Sequence, residues 1–303
     1  MSQYRSGFVT IIGRPNAGKS TLLNALVGQK VAIVADKPQT TRTAIQGVLT
    51  EAEAQVVFVD TPGIHKSDSK INKRMMEAVR ASLGERDALV FVADVTKPFE
   101  EQDQQALSML HEGGPPVFLA LNKIDALKSR QHMIPLLDEY GKRFNFAELI
   151  PISAATGEGL EIFRKAVIGR MPEGPQYFPE DHVTDQPARF LVAELIREKI
   201  LRLTRQEIPH SVTVLVDQWD ESETLIKVYA SILVEREGQK GIVIGAHGAM
   251  MKRIGTEARE EAESLFGIRF FLDLRVKVEK DWRQKHIFLN TLDWRTMAGR
   301  DES

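Results

Sequence analysis

The sequence predicts an α/β domain, with a mainly parallel sheet and helices on both faces, followed by a smaller α+β domain. Up to about residue 170, short apolar runs typical of buried strands alternate with segments of helical periodicity. Residues 171–181 then interrupt this periodicity with three prolines. Beyond them the predicted elements follow the order helix, strand, strand, helix, helix, strand. The change of pattern indicates two domains of different class.

Local patterns give the elements of the first domain. A helix is predicted at residues 21–27, because Gly28 supplies a typical helix end. The predicted strands are residues 8–12, a hairpin-like pair within 45–59, 88–93, 117–121 and 149–152.

The second domain begins with an amphipathic helix. Its predicted elements are a helix at 189–203, strands at 212–216 and 225–234, a short helix at 239–244, a helix at 249–266 and a strand at 268–278. The resulting boundaries are 1–170 for the first domain, 171–181 for a linker, 182–285 for the second domain and 286–303 for a C-terminal tail.

Length and composition exclude several classes of protein. The chain has 303 residues, enough for two cores, and contains 0 Cys, which excludes disulfides, thiolate metal sites and cysteine nucleophiles. No apolar stretch reaches the length of a membrane span, and the first residues lack the apolar region of a signal peptide. We therefore expect a soluble, cytoplasmic monomer. The net charge of -2 gives no bulk sign of nucleic-acid binding.

Residues 13–20, with the sequence GRPNAGKS, match the pattern G-x-x-x-x-G-K-[ST] between a predicted strand and a predicted helix. In this pattern backbone N–H groups surround phosphate oxygens, Lys19 reaches the outer phosphates and the Ser20 hydroxyl coordinates Mg²⁺. A glycine-rich turn that binds nothing is the alternative. Three further motifs, which follow in the order of a guanine-nucleotide site, disfavour it.

Asp60 and Thr41 are the candidate partners of Ser20 at the metal. Asp60 ends an apolar strand, so its carboxylate is expected beside the phosphates, where it orders a water in the Mg²⁺ shell. Thr41 is expected to coordinate Mg²⁺ together with Ser20. The N–H of Gly63 is interpreted as a donor to the terminal phosphate, with a plain turn at Pro62 and Gly63 as the alternative.

Residues 122–125, with the sequence NKID, also follow an apolar run and are predicted to select the base. An ionised carboxylate only accepts hydrogen bonds, and guanine presents adjacent N1–H and N2–H₂ donors that adenine lacks. Asp125 therefore favours GTP over ATP. Backbone N–H groups of Ser153 and Ala154 are expected to complete the base pocket, and a plain turn there is the alternative.

Residues 245–248, with the sequence GAHG, lie between the two later helices of the second domain. This is the spacing of the G-x-x-G loop with which K-homology domains clamp a nucleic-acid backbone. A tight helix–helix turn is the alternative. Nearby cations either face RNA phosphates or form a solvated helix face. The candidate RNA-binding residues are Lys240, Gly245, Ala246, His247, Gly248, Lys252 and Arg253, with Arg259 as a further cation.

From residue 7 to about residue 282 the chain resembles the Era GTPases, which couple a small Ras-like GTPase domain to a C-terminal type II K-homology domain. The specific matches are residues 13–16, 39–42, 60–63, 178–181, 233–240 and 243–245. The resemblance implies binding to the 3′ end of 16S ribosomal RNA, a role in maturation of the 30S subunit and a peripheral fraction at the inner membrane.

The chain departs from the pattern of these proteins at two places. Ala17 replaces the usual valine of the phosphate loop, a change that leaves the loop backbone intact. His247 and residues 249–251 replace lysines that are common near the RNA. Each missing lysine–phosphate contact is expected to lower the number of counterions released from the RNA on binding by about one. RNA binding is therefore expected to be weaker.

Ile64 follows the motif at 60–63, where Ras-like enzymes have a glutamine that orients water. Slow hydrolysis is therefore expected, at about 10⁻⁴ to 10⁻³ s⁻¹ as in unassisted Ras. In related GTPases that lack this glutamine, an asparagine matching Asn16 helps to hold K⁺, and the alternative is that Asn16 only shapes the loop. His65 is not expected to act as a base, since it lies in a polar segment predicted to be a mobile switch.

Other function classes remain open at this point. One is a GTPase that acts on another RNA; the absence of cysteine disfavours a tRNA-modifying enzyme, and a single phosphate loop disfavours a tandem-domain factor. Another is an RNA adaptor that binds nucleotide without hydrolysing it. The chain contains the full set of expected catalytic residues, which disfavours this class. That set is Asn16, Lys19, Thr41, Asp60 and Gly63.

The full nucleotide site comprises four segments. The predicted GTP-binding residues are Gly13, Arg14, Pro15, Asn16, Ala17, Gly18, Lys19, Ser20, Thr21, Asp60, Thr61, Pro62, Gly63, Ile64, Asn122, Lys123, Ile124, Asp125, Ser153 and Ala154, and the predicted metal ligands are Ser20, Thr41 and Asp60.

Overall fold

Two sheets of different type organise the chain. The computed structural model describes residues 4–37, 39–64, 69–111, 113–204, 208–290 and 294–296. The first unit comprises Met1–Ala32, Thr41–Asp68 and Asn72–Asp185. The second comprises Ile33–Thr40, Ser69–Ile71 and Gln186–Ser303.

The first unit contains a six-stranded sheet in the order β2-β3-β1-β4-β5-β6. All neighbouring pairs are parallel except β2 with β3, which form the predicted hairpin. The elements are β1 (Arg5–Ile12), α1 (Lys19–Val27), β2 (Ile45–Glu51), β3 (Ala54–Asp60), α2 (Lys70–Leu83), β4 (Ala88–Asp94), α3 (Glu101–Leu107), β5 (Val117–Asn122), α4 (Met133–Arg143), β6 (Glu148–Pro151) and α5 (Leu160–Gly169).

Helices cover both faces of this sheet, as the apolar runs predict. Every residue of β4 is buried. Ile11 lies in a core that includes Phe163 of α5, and the next residue, Ile12, lies in a separate core with Tyr140 of α4. Adjacent residues of a strand point to opposite faces. The strands are therefore buried between two apolar layers, which explains their continuous apolar sequence.

The segment predicted as a linker, residues 171–181, packs on the first unit. The buried Gln55 side chain accepts the N–H groups of Tyr177 and Phe178 at 2.8 and 2.9 Å and donates to the Phe178 carbonyl at 3.0 Å. A little further on, the N–H of Val48 on β2 donates to the carbonyl of Val183 at 2.8 Å. The chain thus covers the outer edge of β2, which would otherwise expose unpaired backbone groups.

The second unit contains a three-stranded sheet in the order β7-β8-β9, with β7 antiparallel and β9 parallel to β8. The predicted element order is confirmed, and the short helices α7 and α10 are additions to it. The elements are α6 (Ala188–Leu203), α7 (Ile208–Ser211), β7 (Thr213–Glu221), β8 (Leu225–Val234), α8 (Glu237–Ile244), α9 (Ala249–Phe266), β9 (Arg269–Val278) and α10 (His286–Asn290).

The core of the second unit joins the helices to the central strand. It includes Ile196 of α6, Ala230 of β8 and Ile254 of α9, all fully buried. Ile33, from the separate segment Ile33–Thr40, belongs to the same core. The N–H of Val34 also donates to Glu198 Oε1 at 2.7 Å within this unit. The sequence alone gives no sign of this packing.

Among the described residues, no helix is both long enough and apolar enough to cross a membrane.

Candidate nucleotide site and candidate RNA interface

The carboxyl ends of the parallel strands bring the predicted nucleotide motifs to one edge of the first sheet. Asp60 at the end of β3 pairs with Ile11 near the end of β1, and Asn122 at the end of β5 pairs with Asp94 at the end of β4. In sheets of this kind ligands bind beyond the carboxyl ends of the strands. The sheet register therefore collects residues that are far apart in sequence.

The phosphate loop contains two glycines that no other residue can replace easily. Gly13 has φ +147°, and a Cβ there would lie 2.3 Å from the carbonyl oxygen of Val92. Gly18 has φ +98°, and a Cβ there would lie 2.1 Å from Nδ2 of Asn122. Both positions combine a left-handed backbone with close contacts. The glycines of the motif thus let the loop approach the neighbouring strands.

Lys19 lies at the centre of the loop and is buried. Its Nζ donates to the carbonyl oxygens of Gly13 at 3.1 Å and Arg14 at 3.0 Å. Burial lowers the pKa of Lys19 to about 8, and the negative charge of Asp60 opposes this shift. An added anion would favour the charged ammonium. The loop therefore holds a lysine whose charge a phosphate would stabilise.

Ser20, Thr41 and Asp60 form a compact cluster of oxygen atoms. Asp60 Oδ2 accepts from Ser20 Oγ at 2.6 Å and from Thr41 Oγ1 at 3.3 Å, and the two hydroxyls are 2.8 Å apart. Burial raises the pKa of Asp60, while Lys19 and the two hydroxyls oppose that shift. These residues come from α1, the stretch before β2 and the end of β3.

Asp60 Oδ1 is buried and has no hydrogen-bond partner among the described residues. An unpaired buried carboxylate oxygen is costly unless a cation or donor reaches it. Two hydroxyls and one carboxylate are hard oxygen ligands of the type that Mg²⁺ prefers. The residues present therefore fit a magnesium ion.

Asn122 connects the phosphate loop to the loop after β6. Its Nδ2 donates to the carbonyl of Ala17 at 2.9 Å, and its Oδ1 accepts the N–H of Ala154 at 2.9 Å. The Ser153 hydroxyl donates to Asp125 Oδ1 at 2.6 Å, and the Ser153 N–H donates to the Glu158 carbonyl. The N–H groups of Ser153 and Ala154, expected to face the base, are thus already used within the protein.

Lys123 and Asp94 hold the other side of the phosphate loop. Lys123 Nζ donates to the Asn16 carbonyl at 2.7 Å and to Asp94 Oδ2 at 2.7 Å. Burial raises the pKa of Asp94, but the hydrogen bonds from Lys123 and Thr96 outweigh it, so the pKa is lowered. Asp94 was missed in the sequence, although its position at a strand's carboxyl end is a usable signal.

The motif at 60–63 touches the phosphate loop directly. The Thr61 hydroxyl donates to the Ile11 carbonyl at 2.8 Å, and a Cβ at Gly63 would lie 2.8 Å from Pro15 Cα. The Ile64 side chain is buried in the core that contains Ile12. His65 lies outside the described residues. Ile64 therefore faces the core, where a water-orienting group would be of no use.

Two predicted residues pack in apolar clusters, and a third lies at the start of a helix. Ala17 is fully buried in the core that contains Leu22, and Ile124 packs in a small cluster with Met133. Thr21 lies in the first turn of α1. Their positions maintain the backbone of the neighbouring motifs.

The loop GAHG connects α8 to α9 through left-handed backbone. Gly245, His247 and Gly248 have φ values of 72°, 50° and 78°. A Cβ at Gly245 would lie 2.6 Å from Met250 Cβ, whereas a Cβ at Gly248 would meet nothing within 4 Å. Ala246 and His247 are exposed. The loop thus presents its backbone at the start of an 18-residue helix.

The predicted cations near this loop divide into two groups. Arg253 pairs with Glu257 at 2.7 Å and Arg259 with Glu263 at 2.6 Å, both along α9. Within the described ranges Lys240 and Lys252 have no ion-pair partner. Exposed pairs within a helix are weak, so the arginines are still available to a stronger anion.

A groove of about 290 Å³ lies between α9 and β9 in the second unit. Its wall combines apolar side chains with two of the predicted cations, Lys252 and Arg259. The lining residues are Met251, Lys252, Gly255, Thr256, Arg259, Leu272 and Leu274. The arrangement suits an extended ligand with both apolar and anionic parts.

Family models match both parts of the chain. Residues 8–123 match a family described as 50S ribosome-binding GTPase, and residues 207–283 match the KH domain family. The chain is 46% identical over 295 residues to GTPase Era of Staphylococcus haemolyticus, covering 97% of this chain and 98% of that protein. It is 49% identical over 281 residues to GTPase Era of Syntrophus aciditrophicus, covering 92% of each.

Solved structures resemble the chain over nearly its whole length. A variant of Aquifex aeolicus Era bound to GDP and AlF₄⁻ superposes with a TM-score of 0.92 and 37% identity, covering 96% of this chain and 99% of that one. An Era structure in complex with MgGDPNP and nucleotides 1506–1542 of 16S ribosomal RNA gives the same TM-score, identity and coverage.

Proposed function

Because this chain belongs to the Era family of GTPases, we propose that it binds the 3′ end of 16S ribosomal RNA through its second domain and assists maturation of the 30S subunit. It is an enzyme that converts GTP and water into GDP and phosphate. The catalytic roles proposed below rest on one observation, the unpaired buried oxygen of Asp60 beside Ser20, Thr41 and Lys19.

We propose that Lys19 binds the β- and γ-phosphates of GTP and that Ser20 and Thr41 bind Mg²⁺. Asp60 holds a water of the metal shell through Oδ1. When bound, Mg²⁺ neutralises charge that develops on the phosphate oxygens. The N–H of Gly63 donates to the terminal phosphate, since Gly63 already lies against Pro15 of the phosphate loop. These groups position and neutralise the reacting phosphate, which is most of what phosphoryl transfer requires.

Asp125 and Asn122 are proposed to select guanine. The Ser153 hydroxyl holds one carboxylate oxygen of Asp125 and so fixes the orientation of the other. Asn122 holds the phosphate loop and the loop after β6 together, so that the base and the phosphates are positioned by one network. ATP would leave the Asp125 carboxylate without donors.

Hydrolysis is proposed to be slow and to be assisted by K⁺ near Asn16. No glutamine follows the motif at 60–63, and Ile64 is buried. Asn16 has a left-handed backbone, with φ 61°, and its exposed side-chain amide makes no hydrogen bond within the described residues. A free amide oxygen beside the phosphates suits a monovalent cation.

RNA is proposed to bind across the GAHG loop and the groove between α9 and β9. Backbone N–H groups of the loop and the start of α9 would face one or two phosphates. Bases would lie along the groove, where Lys252 and Arg259 supply positive charge. His247 stands where a lysine is common in such proteins, so the affinity is expected to be lower than with a lysine there.

Two further proposals rest on family membership. One is that the protein is a monomer with a peripheral fraction at the inner membrane, and the other is that hydrolysis marks a step of 30S assembly. Sedimentation and vesicle flotation test the first. Sucrose-gradient profiles of ribosomal particles from depleted cells test the second.

Crosslinking in cells followed by sequencing of the attached RNA tests the proposed RNA target. Reads should accumulate at the 3′ end of 16S RNA for the wild-type protein and should fall for Gly248→Asp. Gly248→Ala is the matched control, since it adds a Cβ without a charge. Enrichment of another RNA, or an equal yield from Gly248→Asp, would contradict the proposal.

A further inference from the structure

The side chain of Arg14 turns away from the phosphate side of its own loop. It is only 5% exposed, and its Nη1 lies 3.1 Å from Asp103 Oδ2, 3.2 Å from Glu100 Oε2 and 3.4 Å from the Pro98 carbonyl. Pro98 and Glu100 lie just before α3, and Asp103 lies in its first turn. Although Arg14 belongs to a phosphate-binding motif, its guanidinium thus binds protein carboxylates.

Asp103 is fully buried and is itself fixed. Its Oδ2 also accepts the N–H of Glu100 at 3.1 Å, as part of the capping box that begins α3. Burial raises the pKa of Asp103, and the Arg14 guanidinium opposes the shift. A buried ion pair contributes little net stability, because both ions lose their hydration. The main effect of this ion pair is therefore on the geometry of the phosphate loop.

The backbone of the same loop is held by catalytic and base-binding residues. The Arg14 carbonyl accepts the Lys19 ammonium at 3.0 Å, and the Asn16 carbonyl accepts the Lys123 ammonium at 2.7 Å. Lys123 in turn is bound to Asp94 at the end of β4. Residues 14–16 are therefore held at one end by α3 and at the other by the end of β4.

We propose that Arg14 and Asp103 are positioning residues for GTP hydrolysis. Their ion pair fixes the backbone of residues 14–16 and so sets where Lys19, which donates to the Arg14 carbonyl, meets the γ-phosphate. Displacements of about 1 Å in a catalytic group cost roughly 10²-fold in rate. The proposal rests on the GTPase activity of the family and is independent of the proposed K⁺.

Asp103→Asn is the first test, with Asp138→Asn as a matched control on the exposed surface of α4. With enzyme in saturating excess over GTP, the single-turnover rate of Asp103→Asn should fall about tenfold, while its affinity for GDP stays within about threefold of wild type. The contacts to GDP proposed for Gly18, Ser20 and Asp125 would not involve the Arg14 side chain, which binds Pro98, Glu100 and Asp103. The control should match wild type in both measurements.

A purely structural role predicts a different result. Lower thermal stability with a saturated rate within twofold of wild type would overturn the proposal. Should Asp103→Asn fail to fold, Glu100→Gln serves instead, since Glu100 is half exposed. It should slow hydrolysis two- to threefold, and an unchanged rate would also overturn the proposal.

A double-mutant cycle separates this pair from a direct role of Arg14 at the phosphate. If Arg14 acts through Asp103, Arg14→Gln combined with Asp103→Asn should be no slower than the slower single variant. If instead the rate losses of the two single variants multiplied in the double variant, Arg14 would contribute to hydrolysis independently of Asp103. That result would contradict the proposed pairing. The K⁺-to-Na⁺ rate ratio, measured in parallel, reports on Asn16 and keeps the two proposals distinguishable.

Discussion

The nucleotide site and the GAHG loop differ in how their functional groups are held. In the nucleotide site buried side chains fix one another: Asn122 bonds to the backbone of Ala17 and Ala154, and Asp60 bonds to two hydroxyls. In the loop the exposed backbone of Ala246 and His247 is the main feature. The first site is an interlocked set of side chains, and the second is a backbone surface with cations nearby.

This difference determines how each site gains specificity. A carboxylate whose orientation is fixed, as the Ser153 hydroxyl fixes Asp125, disfavours a ligand that leaves it without donors. Contacts between backbone N–H groups or exposed lysines and phosphates position the RNA but carry little sequence information. Substitution of Asp125 should therefore have a larger effect than a single substitution in the RNA interface.

The largest effect is expected for Asp125→Asn. The asparagine replaces an acceptor of two guanine N–H groups by an amide, so GTP affinity should fall by about 10³-fold or more. Xanthosine triphosphate, whose C2 carbonyl accepts a hydrogen bond, should bind better than GTP. Calorimetry with both nucleotides measures this, with Asp138→Asn as the control. Equal affinities of the variant for both nucleotides would remove Asp125 from the base pocket.

A smaller effect is expected for Gly248→Asp at the RNA loop. The added carboxylate would face phosphate at a position with φ 78°, so RNA affinity should fall by roughly ten- to a hundredfold. Gly248→Ala should lose much less, because nothing lies within 4 Å of its Cβ. Fluorescence anisotropy with a short RNA from the 3′ end of 16S RNA measures both. If Gly248→Asp binds like wild type, the loop is only a helix–helix turn.

Replacing K⁺ by Na⁺ at constant ionic strength should slow single-turnover hydrolysis by several-fold. The reason is the loss of one contact that stabilises charge in the transition state. Asn16→Ala should lower the rate in K⁺ to that in Na⁺ and remove the difference between the salts. Stopped-flow detection of phosphate release gives both rates. Identical wild-type rates in the two salts would end the proposal of a potassium ion.

The smallest effect is expected for coupling between the two sites, at about two- to tenfold. We expect a non-hydrolysable GTP analogue to hold Thr41 through Mg²⁺ and RNA affinity to rise relative to the GDP state. By linkage, RNA must then raise affinity for the analogue by the same factor. The test measures RNA affinity with GDP and with the analogue, and the affinities for both nucleotides in the absence and presence of RNA. RNA affinity that is equal with both nucleotides would show that the sites act independently.

Much of this protein follows from the sequence alone. The motifs of the nucleotide site are read correctly as belonging together, because each follows an apolar strand and parallel strands share one carboxyl edge. The role of Asp125 in selecting guanine, expected from its chemistry as a hydrogen-bond acceptor, stays a prediction. The order of elements in the second domain follows from local periodicity, and the GAHG loop from its spacing between two predicted helices. These are properties of short stretches of chain.

Other features were decided only by the tertiary structure. Arg14 belongs to a phosphate-binding motif in the sequence, yet its side chain binds Asp103, 89 positions away. Gln55 holds Phe178, 123 positions away, and so fixes a predicted linker on the first unit. Such contacts depend on which surfaces packing brings together and which buried polar groups then need partners. Local periodicity and motif spacing show neither which surfaces pack together nor which buried polar groups need partners.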